Sequence, residues 1–197
     1  MADAKTECLG AVCALLSAAI SCGCLTSAPP QPKSWIVSVP RRQMAEMDAS
    51  KTARLGTVVV SAPYDRAALA VRRADGSIAF DAFNVFASSP SSMLKLPLAS
   101  VIADAGRFGR VLPSASAART GVTIEAVVND LSLDCRDEGR RVARVSLTLV
   151  VLENRAVVEL LDGSGEADAA SGDYSAAFST AFRKAAEVAL SSSAKPR

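Results

Sequence analysis

Two long segments of alternating sequence place the strongest constraint on how this chain can fold. The segment 122–133 carries an apolar residue at every second position from Val122 to Val128, and the segment 142–152 does so from Val145 to Val151. Because side chains alternate between the two faces of a strand, each segment predicts a β-strand with one buried face. Turn-forming residues at 137–139 separate the two segments, which predicts a long antiparallel hairpin.

Shorter apolar runs are candidates for further strands. They lie at 35–39, 58–60, 69–73, 77–83, 111–112 and 156–161. The pair Asp75 and Gly76 is typical of a two-residue hairpin turn between two of these runs. Since hairpins are antiparallel, we expect a mostly antiparallel sheet of about six strands.

Two helices are predicted in addition to the sheet. Ser89 and Pro90 form a favourable helix start, and an apolar stripe continues from there to Gly106. Pro97 should kink this helix or split off its first turn. A second helix runs from Ser171 to about residue 190, with an apolar stripe that predicts core positions. The stripe consists of Tyr174, Phe178, Phe182, Ala185 and Ala189. The expected fold class is α+β, with both helices packed on one face of the sheet.

Composition narrows the classes of function. A length of 197 residues is typical of one domain, and a net charge of +2 is too small to indicate nucleic acid as the main partner. The chain contains no histidine, which excludes Ser-His-Asp and Cys-His catalysis and histidine zinc sites. We therefore predict that the protein is not an enzyme and uses no cofactor.

The N-terminal region resembles the leader of a bacterial lipoprotein. The run from Leu9 to Ile20 is uncharged and shorter than the roughly 20 residues that span a bilayer core, as in the apolar region of a signal peptide. Residues 21–24 then read Ser-Cys-Gly-Cys, and a small residue before a cysteine at this place resembles a lipobox. We favour Cys24 as the lipidated residue, with Cys22 as the alternative. The alternative is that this region forms a buried or amphipathic helix whose cysteines have no role in lipidation.

This leader divides the chain into four predicted parts. Residues 1–23 form a signal peptide, 24–33 a lipidated linker with three prolines, 34–190 a single domain, and 191–197 a disordered tail. Cys135 is the one cysteine of the domain, so we expect a free thiol there and no structural disulfide.

Diffuse features along nearly the whole chain follow the pattern of one known family. They are the lipobox and proline linker, the long hairpin, the Ala-rich C-terminal helix, the helix start at Pro90, and the segments 59–60, 63–65, 69–72, 78–86 and 105–111. On these features the sequence resembles the ABC-type transport auxiliary lipoprotein family. The Asn-Arg-Trp-like triplet usual in that family reads Asn84, Val85 and Phe86 here, so an aromatic residue is kept and the arginine is lost.

The resemblance implies a lipid-anchored accessory of an ABC or mammalian-cell-entry-type system, facing the periplasm. Such systems move lipids or other apolar molecules between the inner and outer membranes. The implied partners are inner-membrane transporter components, the membrane and further copies of the chain. The residue after the modified cysteine is Leu25 or Gly23 rather than Asp, which favours the outer membrane over the periplasmic side of the inner membrane. An envelope scaffold lipoprotein without a transport role is the alternative.

Two charged segments are candidate sites. Arg140, Arg141 and Arg144 could contact anionic headgroups or a protein partner, although such a cluster is also typical of the solvated side of a hairpin. Residues 162–168 place oxygen-bearing side chains at alternate positions, as a calcium loop begins. Ala167 stands where such a loop requires glycine, so we favour a solvated strand face or a turn and predict no metal site.

Overall fold

The structure of the chain, a computed structural model, describes residues 31–42 and 51–192. Eight strands and three helices form within these ranges. In chain order they are β1 (Lys33–Trp35), β2 (Thr52–Val60), β3 (Ala68–Arg72), β4 (Ile78–Phe86), α1 (Pro90–Met93), α2 (Lys95–Asp104), β5 (Arg110–Leu112), β6 (Val122–Asp134), β7 (Val142–Glu153), β8 (Ala156–Asp168) and α3 (Tyr174–Ser191). None of these helices is long and apolar enough to cross a membrane.

The strands form one mixed sheet of eight, so the expected mostly antiparallel sheet with fewer strands is wrong. One edge of β6 pairs antiparallel with β7, which in turn pairs antiparallel with β8. The other edge of β6 pairs parallel with β2 over residues 122–128 and then with β3 over residues 132–134. The pairs β1–β4 and β2–β5 are also parallel, whereas β3 and β4 form an antiparallel hairpin.

The expected strand directions are wrong because the alternation of apolar residues does not show whether two paired strands are parallel or antiparallel. Alternation shows which face a side chain occupies, and it is the same in parallel and antiparallel strands. The two hairpins predicted from their turns, β3–β4 and β6–β7, are confirmed. The parallel pairs have no such signal, because their strands are far apart in the sequence and no single turn joins them. Leu55 of β2 lies opposite Ile124 of β6, and Val71 of β3 lies opposite Leu133 of β6.

Both predicted helical regions are confirmed, and they pack on one face of the sheet. The first region divides at Leu94 into α1 and α2. Pro97 is the third residue of α2, where its missing N–H removes no intrahelical hydrogen bond. Helix α3 begins after Asp173, whose side chain caps its first turn. Phe178 and Phe182 of α3 are fully buried, as the apolar stripe predicted.

Two glycines of β8 allow α3 to lie directly on the sheet. Gly163 and Gly165 face the helix, and a Cβ atom on either would collide with a backbone carbonyl oxygen, that of Ala185 or Ala181 respectively. The helix presents alanines at these positions, so the two backbones approach closely with little side-chain volume between them. Glycine is therefore required at both positions of β8 by the packing of α3.

No described helix packs on the other side of the sheet, here called the open face. Thr148, Asp162 and Glu166 are among its polar side chains. Some apolar side chains also lie there, including Leu160, which is 59% exposed, and Val59, which is 48% exposed. The hydrophobic core is thus enclosed between the sheet and the helices, and the open face carries the charged groups described below.

Candidate functional site

The predicted lipidation site lies outside the described residues. This applies to Cys24, to the alternative Cys22 and to the whole predicted signal peptide 1–23. The linker 24–33 is described only from residue 31, and the tail 191–197 only to residue 192. What the structure describes is the place where the chain following this linker enters the domain.

The chain enters through β1 and then crosses the helical layer as an extended segment, residues 36–42, here called the strap. The predicted strand 35–39 is therefore wrong in its bounds, since β1 ends at Trp35 and the strap bonds to α3 instead of to another strand. Val37 and Val39 of the strap are buried in the core. Trp35 packs against Phe86, with ring centroids 4.3 Å apart, and against Phe178 at 5.3 Å.

Hydrogen bonds fasten the strap to α3 at intervals of four helical residues. The Ser175 hydroxyl donates to the Ile36 carbonyl oxygen at 2.7 Å, and the Ser38 N–H donates to the Ser179 hydroxyl at 2.9 Å. Two residues of extended chain advance about 6.6 Å and four residues of an α-helix about 6 Å. The two repeats therefore stay in step along the length of the strap.

An ion-pair group holds the far end of the strap between α2 and α3. Arg183 donates to the Pro40 carbonyl oxygen and lies 3.6 Å from Asp104 and 3.7 Å from Glu187. Arg42 donates its backbone N–H to Asp104 at 3.0 Å and its guanidinium to Glu187 at 3.2 Å. The side chains of Arg183 and Asp104 are only 14% and 9% exposed, so the centre of this group is buried, whereas Arg42 and Glu187 lie at its exposed rim.

A first charged group on the open face is centred on Arg72. Its guanidinium donates to the Tyr64 hydroxyl at 2.6 Å, to Ser132 at 3.0 Å and to the Asp130 carboxylate at 3.0 Å. Burial, aided by the charge of Asp130, raises the pKa of Tyr64 above its ordinary value. Since Tyr64 belongs to the connection between β2 and β3, the group ties that connection to β6.

A second charged group surrounds Asp134. Arg136 donates hydrogen bonds to its two carboxylate oxygens at 3.0 and 2.7 Å, and Arg144 approaches it to 3.0 Å while pairing with Glu166 at 2.8 Å. The hydrogen bonds from Arg136 outweigh the effect of burial and hold the pKa of Asp134 at about 2. The arrangement joins β6, β7 and β8 across the open face.

The structure distributes the three predicted contact arginines over different surroundings. Arg144 is engaged on the open face as just described. Arg141 donates to the Tyr174 hydroxyl at 3.4 Å, beside the start of α3. Arg140 lies 3.9 Å from the carboxylate of Asp137 at the hairpin tip. A contact between these arginines and headgroups or a protein partner stays a prediction.

Sequence reasoning missed a cavity of about 610 Å³ at the end of the sheet where the β7–β8 turn meets the start of β6. Arg54 of β2, Arg119 of the segment before β6 and Arg155 of the turn line it, and we call it the arginine cavity. No acidic residue is among its lining residues. No local pattern could have revealed it, because its three arginines come from distant parts of the sequence.

The remaining candidates take structural positions. Residues 162–168 form the second half of β8, as the interpretation as a strand face predicted. Cys135 is a free thiol, and burial raises its pKa. Within residues 31–42 and 51–192, no group of three or more Cys, Asp or Glu side chains is arranged to hold a metal ion.

The sequence matches no family model and no curated protein. Its fold is similar to that of a Xanthomonas campestris protein of the family DUF330, with a TM-score of 0.60 and 15% identity over 81% of this chain and 90% of that one. A PelC dodecamer from Paraburkholderia phytofirmans aligns with a TM-score of 0.43 and 14% identity over 83% and 95%. A Caulobacter crescentus protein described as a candidate lipoprotein aligns with a TM-score of 0.32 and 21% identity over 48% and 73%. At 15% identity the first likeness shows a common fold alone.

Proposed function

We propose that this chain is a membrane-anchored periplasmic lipoprotein and a non-catalytic accessory of an ABC or mammalian-cell-entry-type system that moves lipids or other apolar solutes between the inner and outer membranes. One observation carries the proposal: the proline linker that follows Cys24 leads directly into β1 and the strap. Residues 25–32 can extend to at most about 30 Å, so an anchor at Cys24 would keep the domain close to the bilayer surface.

The contacts at this entry point suit a tethered domain. The strap is hydrogen-bonded to α3 along its length and ends at the ion pair of Arg183 and Asp104. A force applied through a tether at β1 would therefore act on the hydrophobic core. Confinement to a surface raises the effective concentration of any partner held at the same surface. A binding and assembly role makes use of that effect without requiring a reaction centre.

Acyl labelling with radioactive palmitate in the native host tests the anchor. We expect the wild-type chain to carry label and to stay in the membrane fraction, and the double variant Cys22→Ala, Cys24→Ala to lose both. Cys135→Ala is the matched control, because it removes a cysteine of the domain and should leave labelling unchanged. Retained label and membrane association in the double variant would exclude this anchor, and the two single variants decide which cysteine is modified.

Crosslinking in intact membranes followed by capture of the chain tests the transport role. We expect co-purification of the periplasmic part of an inner-membrane transporter, together with crosslinked copies of the chain itself. Density-gradient separation of the membranes shows whether the chain resides in the outer or the inner membrane. Repeated recovery of envelope scaffold proteins without any transporter component would favour the scaffold role over transport.

A further inference from the structure

The arginine cavity is lined by three arginines and by no acidic residue. Within residues 31–42 and 51–192, Arg54, Arg119 and Arg155 form no ion pair, and the other residues that line the cavity are threonine, glycine and asparagine. By contrast, Arg107 binds Glu159 through both carboxylate oxygens at 2.6 and 2.7 Å. Three guanidinium groups around one cavity repel each other unless an anion lies between them.

Arg54 is the innermost of the three. It belongs to β2, opposite Thr123 of β6, so the sheet fixes its backbone. Its Nε atom is buried and makes no hydrogen bond to any described residue. A buried donor without an acceptor costs free energy, and the side chain that carries it lines the cavity.

The second wall of the cavity is equally well positioned. Asn154 and Arg155 form the tight β7–β8 turn, with φ angles of 50° and 69°. The Asn154 N–H donates to the Gly121 carbonyl oxygen at 3.0 Å, which fixes the turn against the start of β6. The neighbouring acidic residue, Glu153, already pairs with Lys51 at 2.9 Å. The backbone of both walls is therefore fixed by the sheet and the turn.

We propose that the arginine cavity binds a phosphate group, carried either by a lipid headgroup or by a soluble phosphoester. A guanidinium matches phosphate because it donates two parallel hydrogen bonds to two oxygens. Thr123 and Asn154 bring further polar groups to the same cavity, whereas the Thr120 hydroxyl already donates to the Val122 carbonyl oxygen at 3.0 Å. A volume of about 610 Å³ falls within the range of small-ligand sites. An adjoining cavity of about 380 Å³ shares Arg54 and Thr123 and extends the site towards Lys95.

This inference goes beyond the proposed function and does not depend on the anchor, because the cavity is built entirely from the folded domain. The test uses the full-length protein in non-ionic detergent micelles, with isothermal titration against micelle blanks. The probes are inorganic phosphate, glycerol 3-phosphate, dihexanoyl phosphatidylglycerol and dihexanoyl phosphatidylcholine. We expect saturable binding of the anionic probes, weakened by added salt, and weaker binding of the zwitterionic phosphatidylcholine.

Comparison among the probes identifies the source of the phosphate group. Tighter binding of phosphatidylglycerol than of glycerol 3-phosphate supports a lipid headgroup, and equal binding supports a soluble phosphoester. Equal binding of phosphatidylglycerol and phosphatidylcholine, without binding of inorganic phosphate or glycerol 3-phosphate, would overturn the proposal, because recognition would then depend on the acyl chains. Absence of binding of every anionic probe at millimolar concentration would overturn it as well.

Variants locate the site. Arg119→Gln combined with Arg155→Gln removes two exposed charges from the cavity and should weaken binding at least about ten-fold, with an unchanged unfolding midpoint. Arg54→Gln should weaken it similarly, and the double variant keeps the test valid if Arg54→Gln fails to fold. Arg73→Gln removes another exposed arginine, from the β3–β4 turn outside the cavity. An equal loss in this control would show general charge attraction and refute the site.

Discussion

At the level of single residues, Asp134 has the clearest energetic consequence. Its folded pKa of about 2 lies below the ordinary value of 3.8, so the ionised form stabilises the folded state. The stabilisation is complete above about pH 5 and is lost as the pH falls towards 2. We estimate it at about 1–2 kcal/mol, since the partner Arg136 is partly exposed and screened by solvent.

Urea unfolding at pH values between 2 and 7 measures this contribution. We expect Asp134→Asn to lower the free energy of unfolding at pH 7 and to flatten its decline below pH 5 relative to the wild-type protein. Asp137→Asn is the control, because this carboxylate is 76% exposed and 3.9 Å from its arginine partner. If the free energy of unfolding depends on pH in the same way in Asp134→Asn and in the wild-type protein, the assigned role of the ion pair between Asp134 and Arg136 is wrong.

The positions of the charged side chains could be predicted only in part from the sequence. Arg140, Arg141 and Arg144 stand out as a local charge cluster, yet the structure engages Arg141 near α3 and Arg144 on the open face. Local charge density does not encode the face on which each side chain lies. The arginine cavity has no local signal at all, because the fold alone brings its side chains together.

At the level of secondary-structure elements, the contact between β8 and α3 depends on glycine. We expect Gly163→Val to reduce the free energy of unfolding by at least about 2 kcal/mol, because the new side chain would displace the helix backbone. Ser164→Val is the matched control, since residue 164 is exposed on the open face of the same strand. Chemical denaturation of both variants checks this, and equal stability of the two would show that α3 does not lie on these glycines.

The apolar stripe of α3 supports a second prediction at this scale. Phe182 is fully buried, so Phe182→Ala should cost about 3–5 kcal/mol through lost burial and the cavity left behind. Val188→Ala in the same helix removes a side chain that is 47% exposed and should cost much less. Thermal melts of the two variants provide the comparison. An unshifted midpoint for Phe182→Ala would refute the placement of this helix face.

The elements differ in how well the sequence predicts them. Hairpin turns and helical stripes are local, and the β3–β4 and β6–β7 hairpins and both helical regions agree with prediction. The sequence does not clearly predict the second half of β8 as a strand, because Gly163 and Gly165 have low strand propensity. Glycine is needed at both positions because α3 packs directly on them. The apolar run 35–39 predicts a strand, but residues after Trp35 bond to α3 instead of to a strand, and no local pattern indicates that partner.

At the level of the whole molecule, the strap makes the entry of the chain part of the core. Val37 and Val39 belong to the same buried cluster as Phe178 and the central strands. Two-state unfolding is usual for a single domain with one core. We therefore expect the strap to unfold together with the sheet and the helices, rather than to detach first.

Trp35, the only tryptophan of the chain, is the last residue of β1 and lies next to the strap, so it reports on the release of this entry segment. It packs on Phe86 of the sheet and on Phe178 of α3, so its fluorescence should change only when these elements separate. We expect thermal melts followed by tryptophan fluorescence and by far-ultraviolet circular dichroism to have the same midpoint. Val37→Asp should lower both midpoints together, while Ile36→Asp, at a residue that is 51% exposed, should leave them nearly unchanged. A fluorescence transition well below the circular dichroism transition would show that β1 detaches before the sheet and the helices unfold, and a tether attached to β1 would then not act directly on the core.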